Sequence, residues 1–169
     1  MKLALNIGTR ASAEQSEDIK GRYLVSLKLV ERLHRLLLDV IKDEFERLGR
    51  SDVNSVQALL LYNIGDAELT AGELTSRGYY LGSNVSYNLK KLVDAGYINH
   101  QRSSTDRRSV RVRLTDKGQE VCTVVNTLYH RQLKSLQQVG GIDTNDLETL
   151  NKSLIRLERF WTDQIHYRL

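Results

Sequence analysis

Apolar residues recur along this chain with two different periods, and the switch between them marks out its elements. From residue 17 to 48, Ile19, Tyr23, Leu27, Val30, Leu33, Leu37, Val40 and Ile41 return at helical spacing, and Gly49 follows as a stop. That predicts one helix of about 32 residues, roughly 48 Å long. A helix of that length outruns a small domain, and its apolar positions wander round it, so it asks for a partner helix. Residues 55–64 are nearly all apolar and read as a buried second helix. Residues 116–139 carry Val121, Val124, Val125, Leu128, Leu133, Leu136 and Val139. Residues 145–167 repeat Leu147, Leu150, Leu154, Leu157, Phe160, Trp161 and Ile165, and the short Gly140-Gly141 link predicts an antiparallel pair. Residues 1–16 hold no sustained period and are expected to be a flexible N-terminal arm.

Three helix starts use one device. Asn54 with Gln57, Thr70 with Glu73, and Asp143 with Asp146 each set a cap oxygen three residues before an acid or amide, as in a capping box. Helices are therefore expected to open near 55, 71 and 144. Residues 66–69 form a short connection able to add one small strand.

The period changes in 82–115, GSNVSYNLKKLVDAGYINHQRSSTDRRSVRVRLT. It opens as a short helix with Val85, Leu89, Leu92 and Val93 on one face. The remaining face carries Ser83, Asn84, Ser86, Tyr87, Asn88, Lys90 and Lys91, the short, hydrogen-bonding, cationic surface that a helix in a DNA major groove presents. After a turn at Gly96 comes a strand, Tyr97 to His100, then a basic loop through Arg102, Asp106, Arg107 and Arg108. The return strand alternates Val110, Val112 and Leu114 with Arg111 and Arg113, a period of two. A hairpin with a basic tip beside such a helix reads as a winged helix-turn-helix. Gly78 and Gly82 bracket the sharp turn that enters it.

Charge sharpens this picture. Seven Lys/Arg against two Asp lie within 82–113, a net +5 on a chain whose total is +4. Positive charge concentrated on an otherwise balanced chain is the footprint of a polyanion; a merely solvated basic hairpin is the plainer alternative. The composition, 40% apolar and 27% charged, is ordinary for a globular protein. The single cysteine, Cys122, excludes an internal disulfide framework and suits a reducing cytoplasm, expected to be bacterial. No apolar run is long enough for a secretion signal or a membrane span. The four histidines are scattered, and G-x-S-x-G, a phosphate-binding glycine loop and HExxH are all missing, so neither an enzyme, a metal nor a cofactor is expected.

Asp106-x-Arg108, then five residues, then Leu114-Thr115, resembles the wing signature of the MarR family of bacterial transcription regulators. The likeness extends over about 18–167, although only the wing signature is specific. The run SNVSYNLKKLVDAGYI also looks like a narrower group within it, the regulators of L,D-transpeptidase. The resemblance implies an obligate dimer, winged-helix DNA binding and often a small-molecule inducer. It further implies that Asp106 orients Arg108 by a salt bridge, leaving Arg108 to enter a narrow minor groove, where the potential is most negative. Arg102, Arg107 and Arg111 are expected at phosphates. His100 and Gln101, at the wing's root, fit either a DNA contact or a solvent-facing strand.

The expected fold is therefore mainly α with a small β-hairpin wing. A winged helix-turn-helix DNA-binding domain spans 51–115, and a helical dimerisation region spans 17–50 and 116–169. The dimer interface is expected on Ile19, Tyr23, Leu27, Leu154, Leu157, Phe160 and Trp161, more apolar surface than one winged helix covers. Leu36, Val40, Leu59 and Tyr62 are the candidate lining of a small-molecule pocket, with a filled core as the plainer alternative. Cys122 reads as a small buried hydrophobe, with oxidation sensing as the sharper reading. The expected function is that of a homodimeric transcription regulator on a pseudo-palindromic DNA operator, released by a small apolar or aromatic effector. The alternative is a winged helix serving as a protein–protein or RNA-binding scaffold.

Overall fold

The computed structural model describes the backbone of residues 3–70, 73–74, 82–102 and 110–167, and the side chains of 17–70, 73–74, 86–100 and 111–167. The described elements are α1 (Leu3–Arg47), α2 (Ser55–Ile64), β1 (Leu69–Thr70), α3 (Gly82–Asp94), β2 (Ile98–Arg102), β3 (Val110–Leu114), α4 (Asp116–Gln138) and α5 (Thr144–Tyr167). The chain is mainly helical, with one small antiparallel sheet, the architecture expected from its patterning.

All three capping boxes form. The Asn54 side chain accepts the Gln57 N–H at 2.9 Å while Gln57 Oε1 accepts the Asn54 N–H at 3.1 Å. The same reciprocal pair joins Thr70 to Glu73 and Asp143 to Asp146. Each satisfies backbone donors that a helix start leaves unpaired. Most of the helix expected over 71–77 lies outside the described residues.

One boundary differs from the sequence pattern. Helix α1 starts at Leu3, not near 17, so residues 3–16 are helical where a loose arm was expected. That segment lacks an apolar period, but Ala and Leu make up five of its fourteen residues and no proline interrupts it. Strong helix formers let a helix propagate where no packed face marks it.

The sheet order is β1-β3-β2. Leu69 pairs with Val112, and Ile98 with Leu114, so one face of the sheet is apolar. On the other face Asn99 stands opposite Arg113. The apolar face closes on a core of Ile41, Phe45, Leu60, Leu61, Ile64, Leu92, Tyr97, Val121 and Val125. Helix α1 packs on α2, α2 on β3, and α3 on β2. Each fully buried aliphatic side chain contributes about 1.5–3 kcal/mol. Glu44, buried among them, is held by Arg47 at 2.7 Å.

The chain divides into two compact units, Met1–Val125 and Asn126–Leu169. The first contains the winged helix together with α1 and the opening turns of α4. The second contains the rest of α4 and α5. Helix α5 buries none of its residues, and Leu150, Leu154, Ile155, Phe160 and Ile165 stand exposed. Among the described residues no helix is long and apolar enough to cross a membrane.

Candidate nucleic-acid interface

Helix α3 is anchored by Leu89 and Leu92, both buried, with Val93 half-buried beside them. This fixes which residues face outward. Ser86, Tyr87, Lys90 and Lys91 are all exposed, and Tyr87 is 63% accessible. A large aromatic so exposed serves no packing role. Lys91 Nζ lies 5.7 Å from the centre of the Tyr87 ring, one turn along the helix. Asn88 departs from the expected outer face: it is half-buried and already engaged. Ser83 and Asn84 belong to the first turn of α3, but their side chains lie outside the described residues.

The C-terminal end of α3 is clamped to the start of α4. Gly96, at φ +77°, reverses the chain, and the Tyr97 N–H donates to Leu92 O at 2.8 Å. Thr115 Oγ1 donates to Gly96 O at 2.8 Å and accepts the Gly118 N–H at 3.2 Å. Thr115 is thus both a cap for α4 and a tie to α3, a physical reason for Leu114-Thr115 in the wing signature: Leu114 fills the core and Thr115 joins two helices. Lys117 adds a second tie, donating from Nζ to Ala95 O at 3.0 Å.

The wing enters through β2 and leaves through β3. Its tip, residues 103–109, lies outside the described residues, and Asp106, Arg107 and Arg108 with it. The Arg102 backbone ends β2, its side chain undescribed. His100 is exposed on β2, opposite Val112. Arg111 lies on the polar face of the sheet, 3.7 Å from Glu68, with both side chains about half exposed. Arg113 shares that face, although only Arg111 of the two was expected at a DNA phosphate. The period-two alternation that placed Arg111 there applies equally to Arg113. Both line an open cleft of about 410 Å³ with Glu68, Asn99, Asp116 and Gln119.

The other expected sites are spread more widely. Leu59 is buried core, Val40 and Tyr62 are half-buried, and Leu36 is 50% exposed. Neither this cleft nor a smaller one of about 240 Å³ beside Phe45 and Arg50 is lined by any of the four. On α1, Ile19 and Tyr23 are exposed and Leu27 is half-buried; on α5, Leu154 and Phe160 are exposed, with Leu157 and Trp161 half-buried. Cys122 is half-buried, and its thiol donates to Leu61 O at 3.2 Å. Burial first, and then the Asp66 carboxylate, push this thiol up to about 11. It is therefore protonated at neutral pH, the opposite of the low-pKa thiolate that oxidants attack.

Comparison with known proteins agrees with this geometry. A winged helix DNA-binding domain family matches residues 53–118. The exopolysaccharide II synthesis transcriptional activator ExpG of Rhizobium meliloti (strain 1021) is 35% identical over 161 residues, covering 95% of this chain and 82% of that protein. The crystal structure of a MarR transcriptional regulator from Methanosarcina mazei Go1 superposes with a TM-score of 0.64 at 25% identity, over 80% of this chain and 95% of that one. Streptococcus pneumoniae FabT, solved in complex with DNA, shares the fold with a TM-score of 0.60 at 22% identity, over 82% and 96% of the two chains.

Proposed function

The chain belongs to the winged-helix transcription regulators of the MarR family, and from that premise we propose that it works as a homodimer gripping a pseudo-palindromic operator through two α3 helices and two wings. The carrying observation is the outer face of α3: Tyr87, Lys90 and Lys91 project together from a helix whose opposite side is locked into the core. Such a surface supplies hydrogen bonds and positive charge and has nothing to bury within its own unit. Members of the family are regulators, not enzymes, so the chemistry is recognition. A two-fold dimer would set its recognition helices about one DNA turn apart. The wing residues Arg102, Asp106, Arg107 and Arg108 complete the proposed contact, with Arg108 in the minor groove. Its place is the cytoplasm, where its DNA is.

The exposed apolar residues support the dimer, since Ile19 at 63% exposure on α1 and, in the other unit, Phe160 at 50% on α5 each ask for cover. Effector release is part of the same proposal. A small apolar or aromatic molecule among Leu36, Val40, Leu59 and Tyr62 need only prefer the dimer whose helices are wrongly spaced. A tenfold preference, about 1.4 kcal/mol, shifts occupancy near the operator's midpoint. Tyr62 would supply the one hydroxyl on an otherwise apolar wall. A thermal-shift screen of aromatic acids and phenols, followed by operator titration with each hit, tests this part separately.

The deciding experiment is footprinting on genomic DNA, beginning with the region upstream of the chain's own gene. Promoters for cell-surface polymers come next, because the ExpG likeness and the L,D-transpeptidase-regulator likeness of 83–98 both point there. Protection of a pseudo-palindrome is expected, with a slope of log affinity against log salt on the order of −5 to −9. Equal binding to RNA of the same length, or a slope near zero, would support the scaffold reading instead.

A further inference from the structure

Two helices of the first unit end in the same motif. Helix α1 closes at Gly49, φ +67°, with the Arg50 N–H donating back to Phe45 O at 2.9 Å. Helix α3 closes at Gly96 with the corresponding bond from Tyr97 to Leu92. The residues just past these two ends meet. The Tyr97 hydroxyl donates to Asp52 Oδ2, across 45 positions of sequence. Arg50 grips both oxygens of the same carboxylate: its Nε donates to Oδ1 at 3.3 Å and its Nη2 to Oδ2 at 3.1 Å, so Oδ2 is shared with Tyr97.

The connections continue at both ends. The Arg50 guanidinium lies 5.7 Å from the centre of the Phe45 ring, a core residue of α1. The Tyr97 ring is 1% exposed, and Lys117 Nζ of α4 sits 4.1 Å from its centre. A continuous path therefore runs from α1 through Arg50, Asp52 and Tyr97 to the C-terminus of α3 and the start of α4.

We propose that Asp52 and Tyr97 form a positioning latch that fixes the angle of the recognition helix against the long helix α1. The proposal rests on the dimeric, operator-binding reading above, because a fixed angle on each subunit is what gives two recognition helices one defined spacing. An ion pair as open to solvent as Arg50–Asp52 adds little to global stability. Its worth here is geometric: any movement that carried the C-terminal end of α3, and Tyr97 with it, away from α1 would pull the phenol from the carboxylate. Arg50 first, and then Tyr97, hold the Asp52 carboxyl down to about 2. Burial first, and then Asp52, push the Tyr97 hydroxyl up to about 12. Near neutral pH the phenol therefore stays protonated and the carboxylate ionised, as the hydrogen bond requires.

Tyr97→Phe removes the hydroxyl and leaves the ring, its burial and its Lys117 contact. Asp52→Asn tests the other side and stands in if Tyr97→Phe does not fold. The first readout is operator affinity beside affinity for scrambled DNA of equal length. The second is the distance distribution between spin labels at Asp39→Cys on α1 and Lys90→Cys on α3, in a Cys122→Ala background diluted with unlabelled chain. Loss of the latch should broaden that distribution. It should also weaken operator binding on the order of five- to tenfold, with scrambled DNA bound as before. Combining Tyr97→Phe with Asp52→Asn should cost less than the sum of the two, since both weaken the same Tyr97–Asp52 bond, while Asp52→Asn alone also removes the Arg50 ion pair. An unchanged distribution in a folded Tyr97→Phe protein would overturn the latch, as would equal losses on both DNAs. If the unsubstituted protein prefers no DNA sequence, the operator reading fails, while the label distances still decide the latch.

Discussion

Lys91 holds its ammonium 5.7 Å from the centre of the Tyr87 ring, and both side chains stand free of the core. A cation–π contact this exposed is worth about 0.5–1 kcal/mol, too little for the fold to depend on it. Substitutions here therefore report on binding and not on folding. Lys91→Ala should weaken every DNA sequence alike and reduce the salt slope by about one per subunit, as loss of a phosphate contact does. Tyr87→Ala should instead cost on the order of 1–3 kcal/mol on the operator alone. Parallel titrations of operator and scrambled DNA separate the two. A Tyr87→Ala protein that still discriminates as before would remove Tyr87 from the reading surface.

The wing makes its own prediction. Arg108→Ala should cost on the order of 1–3 kcal/mol of operator affinity, and Asp106→Ala less. The inequality follows from their roles: the arginine makes the contact and the aspartate only steers it. In the double variant the Asp106 effect should largely vanish, because nothing is left to steer. Specific binding that survives Arg108→Ala would mean the wing does not read the groove.

How much of this was legible beforehand depends on sequence distance. Asn54 with Gln57, Thr70 with Glu73, and Asp143 with Asp146 were readable because a capping box closes within one helical turn. The sheet face was readable because alternation alone sends Val112 and Leu114 inward and Arg111 outward. The Asp52–Tyr97 contact was not readable. Tyr97 looked like a strand residue and Asp52 like part of a linker, and no period connects positions 45 apart. The Arg111–Glu68 pair was missed for the same reason, since it needs β1 to have joined β3 first. Residues 3–16 failed differently, as propensity without periodicity gave no apolar face to detect.

Helix α5 has no fully buried residue, and α1 leaves Ile19 and Leu24 exposed. The protein should accordingly sediment as a dimer at micromolar concentration. Deleting 143–169 should yield insoluble or monomeric protein without operator affinity. Phe160→Asp is the milder test, placing a charge where the partner should pack, and should shift the equilibrium toward monomer. A stable, folded monomer of the full chain would refute the assembly.

Stability should bend at both ends of the pH scale, with opposite signs. Asp52 is held below its ordinary 3.8, at about 2, by Arg50 first. Its contribution is therefore present above about pH 4 and lost as pH falls from there toward 2. Tyr97 is raised from 10 to about 12 by burial first, so its contribution holds below pH 10 and fades between 10 and 12. Solvent around the Asp52 carboxylate, which is 40% exposed, keeps the acid effect small. Urea melts from pH 2 to 6 should show the native protein and Asp52→Asn converging at the acid end and separating above pH 4. Parallel curves throughout would mean that Asp52 gains nothing from its partners.

Gly118 offers the sharpest contest between local preference and tertiary space. It sits in the first turn of α4, where alanine would gain about 1 kcal/mol in helix propensity. A Cβ at that position would lie 2.3 Å from Tyr97 O and 3.2 Å from the Leu114 Cβ. The Tyr97 carbonyl cannot step aside freely, because it accepts the Thr115 N–H at 3.1 Å as the sheet closes. Overpacking against backbone typically costs about 1–3 kcal/mol, so the clash should outweigh the propensity gain. Gly118→Ala should thus lower the melting temperature by several degrees, and operator affinity should fall further as Tyr97 is displaced. Gly21 supplies the control: it lies within α1, is exposed, and has nothing within 4 Å of its would-be Cβ. There only propensity acts, so Gly21→Ala should raise stability by up to about 1 kcal/mol. Thermal melts of the two variants side by side settle the matter, and a stabilising Gly118→Ala would show that α4 does not approach the Tyr97 carbonyl as closely as described.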